Sequence, residues 1–65
     1  MISDHELWAA ANMVVARHGD TAPIFVAERL GQCALDGDDE GIRVWKAIAA
    51  RLSDIMLTAK SGVTH

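Results

Sequence analysis

The densest group of chemically capable side chains is the run Asp36-Gly37-Asp38-Asp39-Glu40-Gly41. Alternating carboxylates followed by glycine are what a calcium loop would need, with Asp36, Asp38 and Glu40 at loop positions 1, 3 and 5 and Gly41 at position 6. The pattern then stops. Arg43 takes position 8, normally apolar, and Ala47 stands at position 12, where a bidentate glutamate would close the cation shell. A helix stop at Gly37 and an acid-rich helix start accounts for every residue of the run, because carboxylates favour the positive end of a helix.

The other candidates are more dispersed. His5, His18 and His65 lack a histidine, cysteine or suitably placed carboxylate one turn away, so no local metal pair forms. His18 suits a helix C-terminus rather than proton transfer. Cys33 has no adjacent basic residue to favour a thiolate and falls in an apolar arc, which fits a structural cysteine. Trp8 and Trp45 adjoin apolar stripes, and core packing explains them better than partner anchoring. Phe25 is different, since it lies among the polar residues of its helix. Nothing places a nucleophile beside a base or an oxyanion donor, so the chain reads as a non-enzyme with no cofactor and no metal.

Three stop signals divide the elements that would carry these groups: Gly19, Gly37 and Ser61-Gly62. The first helix spans about residues 4–18, with Ser3 and Glu6 spaced as a capping box. Leu7, Ala11, Val14 and Val15 form its apolar stripe, with Trp8 at the edge and Met13 on the outer face. The second spans about 21–36, capped by Asp20 or Thr21 with Pro23 in its first turn. Its apolar arc, made of Ile24, Val26, Ala27, Leu30, Gly31, Cys33, Ala34 and Leu35, covers roughly 200° of the helix. An arc that wide implies contacts on two sides and marks this helix as the most buried. The third spans about 38–60 on a seam of Trp45, Ile48, Leu52, Ile55 and Met56, leaving 61–65 to fray. The expected fold is all-α: one domain over residues 1–65, a small three-helix bundle with antiparallel helices and short turns. Its core bets are Leu7, Trp8, Ala11, Val14, Ile24, Ala27, Leu30, Gly31, Ala34, Trp45, Ile48, Leu52 and Ile55.

Size then points to association. A 65-residue chain with one cysteine has no internal disulfide and little interior, yet 51% of its residues are hydrophobic and only 5% aromatic. A homo-oligomer, or a complex with another protein, would supply the missing burial. The candidate surface is Phe25, Val26, Leu30, Cys33 and Met13. A formal charge of −3 disfavours nucleic acid and acidic membranes, and Asp38, Asp39 and Glu40 would repel phosphate from the start of a DNA-reading helix. No secretory signal and no apolar run of about 20 residues is visible, so the expected location is cytoplasmic.

Several short motifs are familiar as a set. Glu6-Leu7-Trp8-Ala9, Arg17-His18-Gly19, Ala22-Pro23-Ile24 and Ala27-Glu28-Arg29 are followed by Gly37-Asp38-Asp39-Glu40-Gly41, Trp45, Ile48 and Arg51-Leu52. Together they resemble a group of short alphaproteobacterial helical proteins that forms a domain of unknown function. The resemblance covers roughly residues 6–52 and implies no catalytic or binding residue. The expectation from the residues is therefore a small helical protein–protein interaction module that associates with itself. The alternative is a small-ligand or sensor domain with an apolar pocket between helices or subunits.

Overall fold

The computed structural model describes the backbone of residues 2–63 and the side chains of residues 2–58. Helix α1 spans Asp4–His18, α2 spans Ala22–Asp36 and α3 spans Asp39–Val63, with one 3-10 turn at Gly19–Thr21. Every residue from Asp4 to Asp36 is therefore helical, and only Gly37 and Asp38 interrupt the described chain before α3. The all-α class is as expected. The backbone, however, forms two helical stretches, the first in two pieces, and does not spell out a bundle of three separately punctuated helices. Gly19 does adopt a positive φ of 55°, and its N–H donates to Val15 O as a helix end should. The Thr21 hydroxyl donates back to the His18 carbonyl at 2.8 Å and the Ala22 N–H to Gly19 O, so the chain winds tighter instead of opening into a loop. Neither Asp20 nor Thr21 caps α2 through its side chain. At the other end α3 passes through Ser61 and Gly62 to Val63, beyond the expected stop. Thr64 and His65, the end of the tail expected to fray, lie outside the described residues.

The start of α1 is locked as its spacing predicts. The Glu6 N–H donates to Ser3 Oγ at 3.2 Å, and the Ser3 N–H donates to Glu6 Oε1 at 3.0 Å. The Ser3 backbone bond, followed by the bond from its hydroxyl, holds the Glu6 carboxyl below its ordinary value of 4.5. A carboxylate with a depressed pKa adds stability above its unfolded pKa and loses it as pH falls through the lowered, folded one. Acid titration of the melting temperature should therefore show a decline below about pH 4.5 that is shallower in Glu6→Gln. Identical acid limbs in the two proteins would remove Glu6 from the account.

The two-residue link makes α2 and α3 an antiparallel pair. Cys33 near the end of α2 lies by Gly41 at the start of α3, Phe25 and Arg29 meet Trp45, and Val26 shares the core with Ile48 and Leu52. Helix α1 packs on α3 as well: Asp4 pairs with Arg51, and Trp8 borders Asp54, Ile55 and Thr58. The buried core is Leu7, Ala11 and Val14 from α1, Ala22 and Val26 from α2, and Ile48 and Leu52 from α3. Two of these seven are alanines, which contribute little burial.

Helix α2 is covered on one side only, with Ala22 and Val26 buried against the core. Ile24 is 60% exposed, and Ala27, Gly31 and Ala34 are exposed too, contrary to their expected core positions. Trp8, Leu30, Trp45 and Ile55 are half-buried. The second helix is thus not the most buried; it supplies only Ala22 and Val26. Nothing lies within 4 Å of the point where a β-carbon on Gly31 would stand. No neighbour within the chain accounts for this mid-helix glycine, which is about 1 kcal/mol less favourable than alanine.

Candidate interaction surface

Phe25, the most suggestive exposed aromatic in the sequence, is in fact sheltered. Its ring stacks on His18 with centroids 4.1 Å apart and planes at 17°, and meets Trp45 edge-on at 5.9 Å and 77°. The Arg29 guanidinium covers Trp45 at 5.7 Å from the ring centroid. The α1 end, α2 and α3 are joined here, which gives the three rings and the arginine a structural task. A second cation–aromatic contact holds the other end of α1. Arg51 reaches Asp4, lies 5.9 Å from the Trp8 ring and donates to Ala47 O at 3.5 Å. Asp4 is largely exposed, so the ion pair itself adds little.

The acidic run is a helix junction. Gly37 takes the left-handed conformation at φ 70° and donates to Ala34 O at 3.2 Å, while the Asp38 N–H donates to Cys33 O at 2.9 Å. Asp38 Oδ1 then accepts the Gly41 N–H at 2.9 Å, capping α3. Its carboxylate is thus turned onto the backbone rather than toward a shared cation position. Among the described residues, no three of His, Cys, Asp and Glu converge as a metal site. A β-carbon on Gly41 would lie 2.5 Å from Asp38 Oδ2 and 2.6 Å from Cys33 Sγ. Gly41→Ala should consequently lose about 1–2 kcal/mol despite its better helix propensity, through crowding of the cap. Urea denaturation checks this, and an unchanged or higher midpoint would show that the junction relaxes freely.

An apolar groove of about 940 Å³ lies between α2 and the second half of α3, with Val15, Gly19 and Asp20 also in its lining. Its floor includes Val26 and Leu52, both core residues, and its sides include Leu30, Ile55, Met56 and Leu57. It is open along Leu57, which is 61% exposed. The outer face of α2 adjoins it through Pro23 and Ala27, which line the groove and are themselves exposed. That face continues through Ile24 at 60% and Leu35 at 85% exposure.

The five residues expected on the surface separate accordingly. Val26 is 2% exposed and belongs to the core, so it serves only as groove floor. Leu30 lies on the groove wall. Phe25 and Cys33 are half-buried away from the groove, and Met13 is 63% exposed on α1 without joining it. Ile24, Leu35 and Leu57 complete the apolar surface and were not singled out from the sequence as surface. Their signal was present in part, because Ile24 and Leu35 are eleven residues apart and project within about 20° of each other on a helix. No helix is long and apolar enough to cross a membrane, among the described residues.

Against known proteins, the model of a family of unknown function (DUF6961) matches residues 3–60. No curated protein and no solved structure is matched.

Proposed function

The chain belongs to this family of unknown function, and from that premise we propose that it is a small helical protein–protein interaction module that associates with itself. The observation that carries the reading is the apolar groove beside α2, continuous with an exposed apolar helix face. The small core supports it, because a domain with seven buried residues among those described has little stability of its own. The proposal assigns the protein no catalytic task and no nucleic-acid partner, and places it in the cytoplasm of an alphaproteobacterium.

Sedimentation equilibrium over a hundredfold concentration range, under reducing conditions, tests the reading. A reversible dimer is the expected result. A monomer at every concentration would sink self-association. One observation favours a second reading: the groove volume of about 940 Å³ lies within the roughly 300–1,000 Å³ of small-molecule sites. An apolar ligand held there should raise the melting temperature in a screen of fatty acids and aromatic acids. Flat responses across the screen would remove this alternative.

A further inference from the structure

We draw no further inference here: the strongest candidate, the apolar groove between α2 and the second half of α3 with the exposed α2 face beside it, belongs to the surface already described, and nothing in the structure shows what covers it.

Discussion

Leu52→Ala is expected to leave most of the chain unfolded at 25 °C. Leu52 is 3% exposed and belongs to the core cluster with residues of all three helices. Truncating a buried leucine removes its transfer free energy and leaves a cavity, together about 2–5 kcal/mol. A core in a domain this small supplies no more than about 3–5 kcal/mol. The two figures are comparable, so the folded fraction should collapse. Far-UV circular dichroism with thermal melting reads this directly. Leu57→Ala, one and a half turns away and 61% exposed, is the internal control and should stay within about 0.5 kcal/mol of the parent as a monomer. A cooperative melt for Leu52→Ala within a few degrees of wild type would show that the core lies elsewhere.

Trp45→Ala should have the second-largest effect, for a different reason. Trp45 is only half-buried, so less area is lost than for a sealed ring. It supports the edge of Phe25 and the guanidinium of Arg29, and Phe25 in turn stacks on His18 at the end of α1. Removing it loosens the place where α1, α2 and α3 meet, with an expected loss of about 3 kcal/mol. Trp45→Phe keeps an aromatic edge contact to Phe25 and should lose about 1 kcal/mol. Guanidinium denaturation followed by circular dichroism distinguishes the pair. Equal stability of Trp45→Ala and the parent would mean that the ring contributes contact without energy.

Helix positions were legible from local chemistry, and helix orientation was not. Ser3 with Glu6, and Gly37 with Asp38, fix the ends of α1, α2 and α3 through bonds within a few residues, which a sequence displays openly. The arc of α2 was read with the right width and the wrong half turned inward. Periodicity reports which residues share a face, while the choice of face depends on the phase at which the helix emerges from the preceding turn. The tight Gly19–Thr21 winding sets that phase so that Ala22 and Val26 point to α3. Ile24 and Ala27, expected in the core, are carried outward. The same rotation created the candidate surface, which explains why Val26 was misplaced there and why Leu35, read as part of the apolar arc, was not assigned to it.

The two-residue junction of α2 and α3 has a kinetic consequence. Residues joined by so short a link meet after closing a small loop, and chains dominated by such local meetings fold in microseconds to milliseconds. Folding of each copy should therefore finish long before two copies collide at micromolar concentration, where encounter at typical association rates takes from tenths of a second upward. In a stopped-flow experiment the proposed dimer would announce itself as a slow phase whose rate climbs with protein concentration, following a burst that does not.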